Sequence, residues 1–117
     1  MTASGMECTQ VGGEGYLVSA WGEVDLYVAP ELRAALLRAV AEEPETVVVD
    51  LMPVTFIDST ALGALVAASR RAGPTRIAVA CTNPEIVRTF RMTRIDQLLP
   101  IYPSVGAAFE DRGRAVA

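Results

Sequence analysis

Apolar residues occur along this chain in runs that alternate between strand-like and helix-like spacing. Two β-rich runs, residues 8–11 and 16–21, flank the segment 12–15, whose glycines favour a tight reversal, and they predict two adjacent antiparallel strands. The unbroken β-branched or apolar runs at 46–50 and 76–81 are typical of strands that are covered on both faces. A last short strand is predicted within residues 98–102.

Between these strands, four segments carry helix signals. The first has Pro30 and Glu31 in its first turn, followed by apolar residues at helical spacing. These apolar residues are Leu32, Ala35, Leu36, Ala39 and Val40. The second helix begins near Ser59 and ends within residues 70–74, the third is capped by Asn83, and the fourth covers residues 104–110. Residues 51–57 are predicted to form a loop, and residues 112–117 are predicted to fray.

The resulting order is strand-strand-helix-strand-helix-strand-helix-strand-helix. It predicts a single α/β domain over residues 1–117, with a mixed, mostly parallel sheet of four to five strands and about four helices. The strands that precede Ser59 and Asn83 should end at the same edge of the sheet, where α/β proteins usually place their sites. Ser59 is therefore expected to be exposed at that edge.

Composition narrows the possible functions. The chain has a net charge of −4 and all ten of its cationic residues are Arg, which argues against nonspecific or direct nucleic-acid binding. No apolar run approaches the ~18 residues that span a bilayer and the N-terminus has no leader pattern, so we expect no membrane insertion and a cytoplasmic location. Cys8 and Cys81 are too few for a disulfide framework or a structural zinc site, and no cofactor is expected. Two buried, reduced thiols are the favoured interpretation, and a redox pair is the alternative.

Ser59 is the main candidate for chemistry. A helix N-terminus suits a phosphate, because free backbone N–H groups and the helix dipole favour negative charge there. The chain has no His and no Lys, the side chains that most often activate a nucleophilic hydroxyl. Ser59 is therefore interpreted as a substrate and not as a nucleophile.

A simpler interpretation is that the segment 58–60 only caps a helix. Two observations weigh against it. Three consecutive residues could each act as the cap, which exceeds what one helix requires. The helix that follows also contains Gly63, which costs roughly 1 kcal/mol relative to Ala in a helix interior and suggests a close packing or docking contact.

These residues together resemble the signature of the STAS domain, as found in bacterial anti-sigma factor antagonists. The resemblance covers nearly the whole chain. It rests on residues 22–25, 47–51, Val54, 56–59, 62–63, 83–84 and 90–93. The sequence departs from the common family pattern at Thr60 and Ala61, where a second Ser and a Gly are frequent, and at Arg94, where a Gly often follows the third helix.

The resemblance implies a STAS fold and a regulatory switch without enzymatic activity of the chain itself. In the family, the Ser at the position of Ser59 is phosphorylated by a partner that is both an anti-sigma factor and an ATP-dependent serine kinase. The unphosphorylated antagonist binds that partner and frees the sigma factor, and a metal-dependent serine/threonine phosphatase reverses the modification. Thr60 is a secondary candidate for phosphorylation. The residues expected to contact the partner are Asp25, Asp58, Thr60, Ala61 and Leu62.

Two other classes of function are considered. A STAS domain can also be a docking subunit of a signalling assembly or of a lipid-transport ATPase complex, without a phosphate switch. A small α/β enzyme is disfavoured, because the sequence has no His, no phosphate-loop Lys, no Gly-x-Ser-x-Gly motif and no metal-ligand cluster.

Overall fold

The computed structural model describes residues 4–111. Its strands are β1 (Gly5–Val11), β2 (Gly15–Val24), β3 (Thr46–Asp50), β4 (Val54–Ile57), β5 (Arg76–Ala80) and β6 (Ile101–Tyr102). Its helices are α1 (Ala29–Ala41), α2 (Ser59–Arg70), α3 (Pro84–Met92) and α4 (Val105–Glu110), with a 3₁₀ turn at Ile95–Gln97. The predicted fraying of residues 112–117 falls outside the described residues.

The strands form one mixed sheet in the order β1-β2-β3-β5-β6, with β4 paired to β2. β1 and β2 are antiparallel, and every other pairing is parallel. Thr46 lies between Gly15 of β2 and Arg76 of β5, so β3 is central. The predicted α/β class and mostly parallel sheet are confirmed.

The prediction of a loop over residues 51–57 is wrong, because this segment contains β4. The first half of β2 pairs with β3, and its last residues, Gly22 to Val24, pair with β4. Gly22 has a φ of 74°, and its N–H donates to the carbonyl oxygen of Pro53 at 3.1 Å. Only glycine adopts this backbone conformation without strain. β2 therefore extends to Val24, and the sheet has six strands within residues 4–111.

The two faces of the sheet are covered unequally. Side chains from α1, α2 and α3 pack on one face in the main core, whose largest fully buried members include Phe90, Leu32, Leu36 and Leu65. On the other face, Ala108 of the short helix α4 packs against Val48, Ala78 and Ala80. Three helices are thus grouped on one face, and the second helix leads directly from the end of β4.

Polar contacts fix α4 on its face. The guanidinium of Arg76 donates from Nη2 to the carbonyl oxygens of Ala108 and Asp111, both at 2.8 Å. The hydroxyl of Tyr102 donates to Oδ2 of Asp111 at 2.5 Å. These bonds tie the end of a six-residue helix to two strands.

The prediction that both cysteines are buried is correct for Cys81 and wrong for Cys8. Cys81 follows β5 and packs in the main core. Cys8 lies in β1, an edge strand whose residues from Glu7 to Val11 are all exposed. Because β1 lies at the edge of the sheet, the thiol of Cys8 is not covered by neighbouring elements.

Candidate functional site

The carboxyl ends of β2 and β4 bring two acidic residues side by side. Val24 and Ile57 are register partners at the ends of these parallel strands, and Asp25 and Asp58 follow them directly. The N–H of Asp58 donates to the carbonyl oxygen of Val24 at 3.3 Å, which extends the pairing by one step. The pairing of β2 with β4 therefore positions both acids at the start of α2.

Asp58 is the N-cap of α2. Its Oδ1 accepts hydrogen bonds from the N–H of Ala61 at 3.0 Å and from the hydroxyl of Thr60 at 2.5 Å. The Thr60 hydroxyl, with the N–H of Ala61 next in importance, holds the pKa of the Asp58 carboxyl below its usual value. The N–H groups of Thr60 and Leu26 act in the same direction. Asp58 is thus a fixed anion at neutral pH.

Ser59 is the first residue of α2 and is exposed. Within residues 4–111, its hydroxyl has no hydrogen-bond partner, whereas the hydroxyl of Thr60 is held by Asp58. The predicted exposure of Ser59 at the sheet edge is confirmed. Of the two adjacent hydroxyls, Ser59 is therefore the one that is free to react.

Asp25 organises the loop that faces this helix terminus. Its Oδ1 accepts from the N–H of Tyr27 at 3.0 Å, and its carbonyl oxygen accepts from the N–H of Ala29 at 2.8 Å. The loop exposes two large apolar residues, Leu26 at 55% and Tyr27 at 83%. Asp25 thus shapes the backbone between β2 and α1.

Two residues expected to contact a partner are placed differently. Ala61 is completely buried and Leu62 is 8% exposed, because both belong to the face of α2 that packs into the core. Their side chains are thus covered by the core, whereas Thr60 is exposed, and contact of Ala61 and Leu62 with a partner stays a prediction.

A groove between α1 and α2 was not predicted from the sequence. It has a volume of about 550 Å³ and is mostly apolar. Its lining residues are Leu26, Ala29, Pro30, Arg33, Ala34, Leu37, Thr60, Gly63 and Ala64. The small side chains of α2 were the visible signal, but the groove exists only because α1 packs beside α2. Thr60, which lines the groove, is the residue next to Ser59.

At this site, Ser59 provides an exposed hydroxyl that makes no hydrogen bond with residues 4–111. Within the described range, no three Cys, Asp or Glu side chains are grouped as metal ligands. The carboxylate nearest in sequence to Ser59 is occupied by hydrogen bonds and has a lowered pKa, which makes it a poor base for the hydroxyl.

No helix among residues 4–111 has the length and apolar character required to cross a membrane.

Comparison with known proteins identifies a matching family and two similar curated proteins. A family model described as the STAS domain matches residues 7–108. The anti-sigma-B factor antagonist of Listeria monocytogenes is 30% identical over 82 residues, which is 68% of this chain and 72% of that protein. The anti-sigma-B factor antagonist of Listeria innocua matches to the same extent.

Solved structures agree with this family match. The crystal structure of an anti-sigma factor antagonist from Mycobacterium paratuberculosis has a TM-score of 0.86 and 30% identity, and the match covers 94% of each chain. The Bacillus cell fate determinant SpoIIAA in its phosphorylated form has a TM-score of 0.72 at 17% identity, covering 92% of this chain and 99% of that one. At that identity the likeness shows the fold alone.

Proposed function

Because this chain belongs to the STAS domain family, we propose that it is an anti-sigma factor antagonist controlled by phosphorylation of Ser59. In this proposal the unphosphorylated chain binds an anti-sigma factor that is also a serine kinase, and the sigma factor is released. The relatives named as anti-sigma factor antagonists support the regulatory class. The single observation that carries the switch is the free, exposed hydroxyl of Ser59 beside a fixed carboxylate.

The proposed reaction is a phosphoryl transfer in which the chain is the substrate. The Ser59 oxygen forms a bond to the γ-phosphorus of ATP, the bond to the ADP leaving oxygen breaks, and the hydroxyl proton passes to a base. Since Asp58 is held as a hydrogen-bonded anion, we assign that base to the kinase. A serine/threonine phosphatase would hydrolyse the phosphoserine and restore the free hydroxyl.

Phosphorylation adds about −1.5 to −2 charge at this point of the surface. Asp58 already accepts from N–H groups of the first turn of α2, so the phosphate gains few new donors and lies next to an anion. The group stays in solvent, and the fold tolerates it. A docked partner would have to bury this charge beside a carboxylate, and a loss of ~3 kcal/mol weakens binding more than a hundredfold.

The test is affinity capture from a lysate of the native bacterium, read by mass spectrometry. The baits are the wild type, Ser59→Ala, Ser59→Asp and the matched neighbour Thr60→Val. We expect the wild type, Ser59→Ala and Thr60→Val to retain one serine kinase and Ser59→Asp to lose it. Equal retention by all four baits would instead identify a constitutive docking subunit, and the proteins retained would name the assembly that it serves.

A further inference from the structure

The groove between α1 and α2 contains a glycine that the packing of this chain does not require. Gly63 lies in the interior of α2, is exposed, and has ordinary helical backbone angles. A Cβ added to it would meet no atom within 4 Å in the described part of the chain. Glycine costs roughly 1 kcal/mol relative to alanine at such a position. Since no intramolecular contact calls for it, the open space above Gly63 is suited to close approach by another molecule.

The groove also has a definite charge. Arg33 is the only charged residue among those that line the groove. Apart from Thr60 and Gly63, the other lining residues have apolar side chains. Arg33 is exposed, and its guanidinium forms no hydrogen bond or ion pair with residues 4–111, although the chain as a whole has a net charge of −4. An arginine at the border of an apolar groove is complementary to an apolar segment that carries a carboxylate.

We propose that this groove binds a segment of the anti-sigma kinase that presents apolar side chains over Gly63 and a carboxylate to Arg33. The inference rests on the proposed function, because it concerns the same partner. Its support is the continuity of the groove with the phosphorylation site: Thr60 lines the groove and is the residue next to Ser59. A segment seated there keeps the kinase in contact with the chain beside the reacting hydroxyl.

This placement also assigns a reason for release. A carboxylate held near Arg33 lies in the groove that Thr60, the neighbour of Ser59, also lines, so a phosphate on Ser59 would act on it by like-charge repulsion. The groove would then lose affinity at the moment when the reaction is complete.

The test measures binding of the captured serine kinase to two groove variants and two matched controls. Arg33→Glu and Gly63→Leu alter the charge and the open space of the groove. Arg38→Glu reverses an exposed arginine on the same helix outside the groove, and Gly13→Leu fills open space in the turn between β1 and β2, away from the site. We expect the groove variants to bind at least tenfold more weakly than the wild type and the controls to bind equally well. Thermal melting of each variant confirms that the fold is retained.

A charge series separates a carboxylate from general contact. Arg33→Gln should weaken binding and Arg33→Glu should weaken it further, and the salt dependence of binding should be smaller for Arg33→Gln than for the wild type. Equal losses for the two variants, or an unchanged salt dependence, would contradict the pairing with a carboxylate.

The remaining outcomes distinguish this inference from the function on which it rests. If Ser59→Asp loses the kinase but the groove variants retain it, the groove inference is overturned and the proposed function stands. If the groove variants lose the kinase and Ser59→Asp retains it, the groove is supported and the phosphate switch fails. A wild-type bait that captures no kinase, or groove variants that change only self-association, would overturn the inference.

Discussion

The hydroxyl of Thr60 donates a 2.5 Å hydrogen bond to the carboxylate of Asp58, two residues earlier in the chain. Of the two neighbouring hydroxyls, only that of Ser59 is left free of a hydrogen bond within residues 4–111. The same carboxylate caps α2 through the N–H of Ala61. One side chain therefore fixes the helix terminus, lowers the availability of the Thr60 hydroxyl and places a negative charge beside Ser59. This arrangement underlies the first two predictions.

Phosphorylation should be selective for Ser59 over Thr60. With the captured kinase and ATP, we expect the wild type and Thr60→Val to gain the mass of one phosphoryl group and Ser59→Ala to gain none. The reason is that the Thr60 hydroxyl would have to give up its bond to Asp58 before reacting. Intact-protein mass spectrometry gives the result. Full phosphorylation of Ser59→Ala would contradict this assignment.

Asp58 should stabilise the fold in a pH-dependent manner. The hydrogen bonds from the Thr60 hydroxyl and the Ala61 N–H lower its pKa in the folded chain below the usual value, so folding favours the ionised form. This stabilisation is complete above the unfolded pKa and is lost as the pH falls through the folded pKa. We expect the wild type to melt at a higher temperature than Asp58→Asn from about pH 5 to 8, with a difference that shrinks below the unfolded pKa.

Thermal melting by circular dichroism across this pH range measures the difference directly. Asn is also a good helix cap, so the Asp58→Asn comparison isolates the charge. A difference between the two proteins that stays constant down to acidic pH would show that the charge of Asp58 contributes nothing.

Gly63 and Gly73 should respond in opposite ways to the same substitution. Both have open space at the position of a Cβ, but Gly73 has a φ of +56° and Gly63 is helical. Gly63→Ala should therefore stabilise the protein by roughly 1 kcal/mol, and Gly73→Ala should destabilise it by about 1 kcal/mol. Urea unfolding measures both. A destabilising Gly63→Ala would mean that α2 packs more tightly there than the structure shows.

Replacing Arg94 by glycine should stabilise the fold. Its φ is 61°, in the left-handed region that favours glycine, and it lies directly between the end of α3 and the 3₁₀ turn. We expect Arg94→Gly to raise the free energy of unfolding by about 1 kcal/mol. Arg91→Gly, inside α3, is the matched control and should lower it. Loss of stability in both variants would contradict the strain assigned to Arg94.

The sequence predicted the elements whose signals are local. Asn83 and Asp58 cap helices as side chains of their type do, and the unbroken run at β3 is buried on both faces. β4 escaped prediction because it has four residues, two of them exposed, and its pairing depends on the turn of β2 at Gly22. The exposure of Cys8 likewise depends on β1 being an edge strand.

In the candidate site, too, features set by neighbouring residues were predicted and features set by tertiary packing were not. Ser59 was predicted from its position at a helix start, which is a property of adjacent residues. The burial of Ala61 follows from which face of α2 meets the core, and the groove requires α1 and α2 to lie side by side, so both are properties of tertiary packing. The departure at Arg94 was visible in the sequence, but its positive φ was not.

The central claim is that phosphorylation of Ser59 breaks an interface and leaves the fold intact. The most direct test is to measure, on the same phosphorylated and unphosphorylated samples, the dissociation constant for the captured kinase by calorimetry and the melting temperature of the chain alone. We predict that phosphorylation weakens binding more than a hundredfold, as a loss of about 3 kcal/mol requires, with little change in melting temperature. Unchanged affinity, or a marked fall in melting temperature, would contradict the account.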